Sequence, residues 1–86
     1  MKYLIISYKS RNSLYAFAKI LRQMGIASSI INTPRNIALS CGLSSKVDFA
    51  YFSQVVSLVS NAQLQGFWGV FLLTKTPTHD QIERLI

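Results

Sequence analysis

Residues 2–25 read KYLIISYKSRNSLYAFAKILRQMG, and this stretch defines the first unit of the fold. Its first seven residues, 2–8, are rich in Ile and Tyr, which predicts a strand, and the Ser and Asn residues that follow are good helix N-caps. Gly25 is typical of the end of a helix. Between these N-cap residues and Gly25, apolar side chains recur with the i, i+3, i+4, i+7 spacing of a buried helix face: Leu14, Phe17, Ala18 and Leu21. We therefore predict a strand followed by a helix.

The rest of the chain continues this alternation. Further strands are predicted over 27–32, 46–50 and 67–74, a second helix over about 51–65, and a short C-terminal helix after Thr76-Pro77-Thr78. The order β-α-β-β-α-β with short connections is that of the ferredoxin-like fold. We predict a single α+β domain, residues 1–86, in which a four-stranded antiparallel sheet carries two helices on one face.

Composition limits the possible classes of protein. Half of the residues are hydrophobic and 14% are charged, which suffices for one core without a stabilising metal or disulfide. One cysteine, Cys41, and one histidine, His79, exclude a zinc site with four Cys or His ligands, and we expect no metal and no cofactor. No segment approaches the ~20 apolar residues of a membrane span. We expect a cytoplasmic protein.

The charge balance and the predicted topology together indicate an anion site. Nine Lys and Arg residues outnumber three acids, which gives a formal net charge of +6. In a ferredoxin-like sheet the first two strands run in the same direction, so the loops that follow them leave the sheet at the same edge. We therefore expect four residues of these loops, together with the turn at 65–66, to lie close together: Lys9, Ser10, Arg11 and Arg35.

Cys41 has two interpretations. A lone cysteine is most often a small buried apolar residue. Here, however, the segment around it lacks periodic apolar spacing, Pro34 ends the preceding strand, and Gly42 follows directly after Ser40 and Cys41. Predicted cationic neighbours and a helix N-terminus would lower the pKa of an exposed thiol. The second interpretation is a reactive thiolate.

The motif around Cys41 resembles a known family. Residues 33–43, TPRNIALSCGL, are similar to the small bacterial selenium/sulfur carrier-like proteins, and the resemblance extends from Tyr3 to about Leu73. It implies that Cys41 holds the transferred sulfur or selenium atom, that Arg35 is its basic neighbour, and that donor and acceptor proteins are the partners. Two features depart from the pattern. Ala18 stands where members often have glutamate, and Cys41-Gly42 replaces the Cys-Pro of better-understood sulfur relay proteins.

Two other classes of function stay open at this point. A basic ferredoxin-like sheet that displays aromatic side chains could bind nucleic acid. The candidates for that surface are Tyr3, Phe49, Tyr51, Phe67, Trp68 and Phe71. Alternatively, the chain is a protein-assembly module with a structural Cys41, because the sheet face opposite the helices needs a C-terminal helix or a second copy to cover it. This face predicts a homodimer. An enzyme is the least favoured class, since His79 beside Asp80 is the one histidine and no Gly-rich motif is present.

Overall fold

The computed structural model describes residues 1–37 and 42–86 of the chain. The strands are β1 (Lys2–Tyr8), β2 (Ser28–Asn32), β3 (Leu43–Asp48), β4 (Phe67–Lys75) and β5 (Asp80–Arg84), and the helices are α1 (Arg11–Gln23) and α2 (Phe52–Ala62). Two short 3₁₀ turns, Arg35–Ile37 and Phe49–Tyr51, follow β2 and β3 respectively.

The first strand and helix form as predicted. β1 has the predicted bounds, and α1 begins after Ser10, whose hydroxyl accepts a hydrogen bond from the Ser13 N–H at 3.3 Å. This N-cap satisfies one of the N–H groups that the first turn leaves without a helical partner. Gly25, with φ of +74°, allows the left-handed turn after α1. The predicted apolar stripe of α1 is buried.

The five strands form one antiparallel sheet in the order β2-β3-β1-β4-β5. β1 lies at the centre, between β3 and β4, and β2 pairs with the outer side of β3. Because β1 and β2 are both antiparallel to β3, they run in the same direction, and the loops that follow them leave the same edge. The protein is an α+β fold with a five-stranded antiparallel sheet and two helices, where four strands were predicted.

Both helices pack on one side of the sheet, the helix face. The fully buried residues of its core come from α1, α2 and the central strands: Leu4, Ile6, Tyr8, Leu14, Phe17, Leu21, Val55 and Val70. The Tyr8 ring packs against the rings of Phe17 and Phe67, each with its centroid 5.6 Å away. Burial raises the pKa of Tyr8 to about 12. The phenol is therefore neutral in the folded protein at physiological pH.

The opposite side of the sheet, the second face, has its own apolar cluster. Ile5, Phe71 and Leu73 pack there with Ile37, whose side chain is 3% exposed and comes from the 3₁₀ turn after β2. Phe71 is 6% exposed within a single chain. The predicted C-terminal helix does not cover this face, since the turn after β2 packs on it through Ile37. The expected second copy stays a prediction.

The predicted C-terminal helix is wrong, because residues 80–84 form β5. This strand pairs with β4, with Ile82 opposite Leu73. Thr76 N–H donates to the His79 carbonyl at 3.1 Å, and His79 N–H donates to the Thr76 hydroxyl at 3.1 Å, which closes the hairpin. Ile82 is half-buried, whereas the other four residues of β5 are exposed. Pairing along the edge of β4 outweighs the helix-start signal of Pro77.

Two other elements are shifted from their predicted bounds. β3 was predicted over 46–50 but covers 43–48, because the Asp48 carboxylate accepts from Ala50 N–H at 2.8 Å and starts a 3₁₀ turn there. α2 was predicted over about 51–65, yet it ends at Ala62, because Gln63 adopts the left-handed conformation with φ of 49°. Neither shift changes the order of strands and helices.

Candidate functional site

The candidate site is the segment between β2 and β3, where the predicted carrier residue Cys41 lies in sequence. Residues 38–41, which include Ser40 and Cys41, fall outside the described residues. The described flanks are the turn Arg35–Ile37 and Gly42. Thr33 N–H donates to the Gly42 carbonyl at 2.7 Å. This bond holds the two ends of the segment together next to the sheet.

Ile37 attaches the first half of the segment to the second face. Its side chain is buried in the cluster with Ile5 and Phe71, and its N–H donates to the Pro34 carbonyl at 3.1 Å. Its own carbonyl accepts a hydrogen bond from the Trp68 indole Nε1 at 3.0 Å. Apolar burial and a side-chain hydrogen bond therefore both fix the point at which the chain leaves the described part of the loop.

Trp68 reaches Ile37 because of an irregularity in the sheet. Between β1 and β4 the register passes from the pair Ser7–Gly69 to the pair Tyr8–Phe67, so Trp68 is the extra residue of a β-bulge. Bulges change the direction of a side chain locally. Phe67 packs with the helix-face core, whereas Trp68 packs with the cluster of the second face. The sequence alone gave no signal for this bulge.

Two cations lie on the Trp68 ring. Lys9 Nζ is 5.0 Å from the ring centroid, and the Arg84 guanidinium carbon is 5.4 Å from it. Such contacts are attractive because the ring face carries partial negative charge. Hydrogen bonds to backbone carbonyls support both residues: Lys9 N–H donates to the Gly66 carbonyl at 2.6 Å, and the Arg84 guanidinium donates to the Trp68 carbonyl. Arg84 is a neighbour of the site that sequence reasoning missed, since the C-terminal segment was expected to be helical.

The residues predicted for the anion site are only partly brought together. Lys9 and the turn that carries Arg35 both contact Trp68. The side chains of Arg11 and Arg35 are exposed. The Ser10 hydroxyl caps α1.

The structure places the turn at 65–66 beside the loop between β1 and α1, as the topology predicts. Besides the bond from Lys9 to its carbonyl, Gly66 lies so close to the β1–α1 loop that a Cβ atom there would be 3.2 Å from the Ser10 nitrogen. Gly66 also has φ of +75°, which side-chain-bearing residues rarely adopt. The loop after β1 and the turn before β4 are thus packed backbone to backbone.

A line of three hydroxyl groups runs from the sheet interior to the base of the segment. The Ser7 and Ser44 oxygens are 2.8 Å apart across β1 and β3, and the Ser44 and Thr33 oxygens are 2.7 Å apart. Ser7 and Ser44 are fully buried. Thr33 is also the residue whose N–H holds Gly42. Sequence reasoning missed this line, because each serine was an ordinary strand residue until the register placed Ser7 opposite Ser44.

The aromatic residues considered for nucleic-acid binding are divided between the two faces. Phe49, Tyr51 and Phe67 pack against the helix-face core. The other three, Tyr3, Trp68 and Phe71, lie with the cluster of the second face. There, Lys46 Nζ lies 4.1 Å from the Tyr3 ring centroid, and Ile37 is buried in the same cluster. The six residues therefore do not form one continuous stacking surface.

The described residues contain neither a metal-binding cluster nor a membrane-spanning helix. Within 1–37 and 42–86, no three His, Cys, Asp or Glu side chains lie close enough to hold a metal ion together. None of the helices in those ranges has the length and apolar character needed to cross a membrane.

Fold and site together define a class: a small α+β protein in which the described flanks of the β2–β3 segment are held against the sheet, with Lys9 on the indole that bonds to Ile37. Comparison with known families identifies the family itself. The chain belongs to the family described as "Putative Se/S carrier protein-like", whose model matches residues 2–67. The match includes the segment between β2 and β3 and ends at the first residue of β4. No curated protein and no solved structure matches the chain.

Proposed function

We propose that this protein is a small thiol-based carrier in sulfur or selenium handling and that Cys41 holds the transferred atom. The observation that carries the proposal is the family match over residues 2–67, which includes the one cysteine of the chain. A single thiol suffices for a carrier, whereas an enzyme using cysteine needs an oriented general base as well. The ferredoxin-like interpretation is supported by the order β2-β3-β1-β4, to which β5 adds a further strand.

The proposed chemistry is thiol–persulfide exchange. The Cys41 thiolate attacks the outer sulfur of a donor protein's persulfide, a new S–S bond forms at Cys41, and the S–S bond of the donor breaks. The bonding electron pair leaves with the donor thiolate, so neither an oxidant nor a reductant is consumed. Delivery repeats the exchange with an acceptor thiolate. A donor selenosulfide would transfer selenium by the corresponding attack on selenium.

The basic residues would hold the anionic forms of the cargo. Lys9 contacts the same indole as the turn that carries Arg35, which supports a shared role near the segment. We assign the same role to exposed Arg11, at the first turn of α1. Pro34 and Gly42 shape the two ends of the segment. We propose a cytoplasmic setting, because a reduced thiol persists in reducing compartments.

The direct test is mass spectrometry of intact protein after incubation with glutathione persulfide or with selenodiglutathione. We expect wild-type protein to gain a sulfur adduct with the first reagent and a selenium-containing adduct with the second. Because the chain has one cysteine, any thiol adduct maps to Cys41, and Cys41→Ser should gain neither. An unmodified wild-type protein, or a thiol that iodoacetamide reaches only after denaturation, would make Cys41 a structural residue.

A charge-matched pair of variants tests the basic neighbour. Arg35→Ala should slow alkylation of Cys41 near neutral pH, because a nearby cation stabilises the thiolate and lowers the pKa of a thiol. Lys19→Ala removes the same charge from an exposed position in the second half of α1 and should leave the rate unchanged. Equal rates for the two variants would assign Arg35 no role at the thiol.

A further inference from the structure

We propose that the free edge of β2 is a docking site at which an extended, acidic segment of a partner protein adds as another strand of the sheet. The inference concerns how a partner binds, not what is carried, and it does not depend on Cys41. It rests on three features of the described residues: an unprotected strand edge, grooves on both sides of it, and local positive charge.

β2 is an edge strand without the usual protection. It pairs with β3 in continuous register with no bulge, and its other side has no strand partner. Its residues, Ser28–Asn32, include no charge and no proline, and Ile30 is 43% exposed. β5, at the opposite edge, carries Asp80, Glu83 and Arg84. Proteins normally block an exposed edge with charge, proline or a bulge, so an unblocked one is suited to pairing.

Grooves lie on both sides of this edge. One, of about 320 Å³, lies between α1 and β2 and is lined by Ala18, Arg22, Ile26, Ala27, Ser28 and Ile30. The other, of about 230 Å³, lies on the second face and is lined by Tyr3, Ala27, Ser28, Ser29, Lys46 and Asp48. Side chains of an added strand point alternately to the two faces. Main-chain bonds to β2 and alternate side chains in the two grooves together make the arrangement of β-strand addition.

Charge selects the partner. Each groove contains one cation, Arg22 or Lys46, and the one acid, Asp48, has its carboxylate engaged by Ala50 N–H. The other two acids of the chain lie on β5, at the far edge of the sheet. A symmetric pair of copies joined through β2 would bring these cations together in chains that each carry a net charge of +6. An acidic segment compensates that charge, and like charges at an interface disfavour the second copy.

The test is an NMR titration of the full chain with three capped seven-residue peptides. The first alternates Val and Glu, the second alternates Val and Lys, and the third has the Val–Glu sequence with methylated backbone nitrogens. We expect the Val–Glu peptide to shift the amides of β2 and to protect from hydrogen exchange those that do not bond to β3. The lysine peptide should bind at least about tenfold more weakly, and the methylated peptide should not bind, because it cannot donate to a strand.

Two protein variants separate local charge from total charge. Arg22→Gln should weaken binding of the Val–Glu peptide by about threefold, the scale of an exposed ion pair, whereas Lys75→Gln, at the end of β4, should leave it unchanged. Three outcomes would overturn the proposal: no shift of β2 amides at millimolar peptide, equal binding of the methylated peptide, or protection of the outer β2 amides by self-association. The last result would make a second copy the occupant. Each is independent of whether Cys41 accepts sulfur.

Discussion

Two adjacent serines of β3 have opposite environments. Ser44 lies on the second face, where its hydroxyl bonds those of Ser7 and Thr33. Ser45 lies on the helix face, fully buried, and its hydroxyl has no hydrogen-bond partner in the part of the chain that the structure describes. A buried hydroxyl without a partner is destabilising, whereas a bonded one contributes about 1 kcal/mol.

This difference predicts opposite effects of the same substitution. Ser45→Ala should raise the free energy of unfolding by about 1 kcal/mol, because it removes an unsatisfied polar group. Ser44→Ala should lower it by about 1–3 kcal/mol, because it leaves Ser7 without this partner. Urea unfolding followed by circular dichroism measures both. A loss of stability in both variants would mean that Ser45 does find a partner.

Tyr8 predicts how stability changes at high pH. Burial raises the pKa of its phenol to about 12 in the folded protein, above the ordinary value of 10.0 that applies to the unfolded chain. The stabilisation associated with the neutral phenol is therefore complete below about pH 10 and is lost as the pH rises through about 12. Tyr8→Phe keeps the ring and removes the titration. Urea midpoints measured at intervals from about pH 9 to about pH 12 should fall less steeply for the variant, and parallel curves would contradict the assignment.

At the scale of elements, the strand β5 and a C-terminal helix predict different effects of alanine substitutions on stability. Ile82 faces Leu73 and the second-face cluster, whereas Gln81 is exposed. Ile82→Ala should lower the free energy of unfolding by about 1–2 kcal/mol, less than for a fully buried isoleucine, and Gln81→Ala should change it by less than about 0.5 kcal/mol. In a solvent-exposed C-terminal helix alanine would be favourable at both positions. Chemical denaturation of the two variants decides between these cases.

The elements that sequence reasoning predicted well are those with a strong local signal. The first strand and α1 combine β-branched and aromatic residues, a serine cap and a regular apolar stripe, and each signal favours the same structure. β5 was missed because Thr76-Pro77-Thr78 resembles a helix start and five residues are too few to show a clear period. Residues 80–84 form a strand because they pair with the edge of β4, and this partner cannot be recognised from residues 80–84 alone.

At the scale of the molecule, the order of elements predicts where the candidate site lies, but it does not predict the contacts that hold the site in place. The shared direction of β1 and β2 brings Lys9 and the turn with Arg35 to one edge, as the order of elements predicts. The bond from Trp68 to Ile37 depends on a bulge, and the hydroxyl line depends on register. Both are consequences of pairing between strands distant in sequence, which local patterns do not encode.

The homodimer also belongs to this scale, and it stays a prediction. It was based on an apolar face that a single chain would leave uncovered, yet Ile5, Ile37, Phe71 and Leu73 are buried within one chain. A substitution such as Phe71→Glu would therefore place a charge in a core position and would report on folding instead of association. Sedimentation of the unmodified protein is the appropriate measurement.

The hydroxyl line can transmit a change of polarity without any movement of heavy atoms. A serine or threonine hydroxyl donates one hydrogen bond and accepts others, and its hydrogen rotates freely about the C–O bond. In the row Ser7, Ser44, Thr33, both bonds can run outward or both can run inward, with the same oxygen positions. Reversal of one bond favours reversal of the next, since Ser44 has a single hydrogen to donate. The interior of the sheet can thus offer Thr33 either a hydrogen-bond donor or a lone pair. Thr33 is also the residue whose N–H bonds to Gly42, at the end of the segment between β2 and β3.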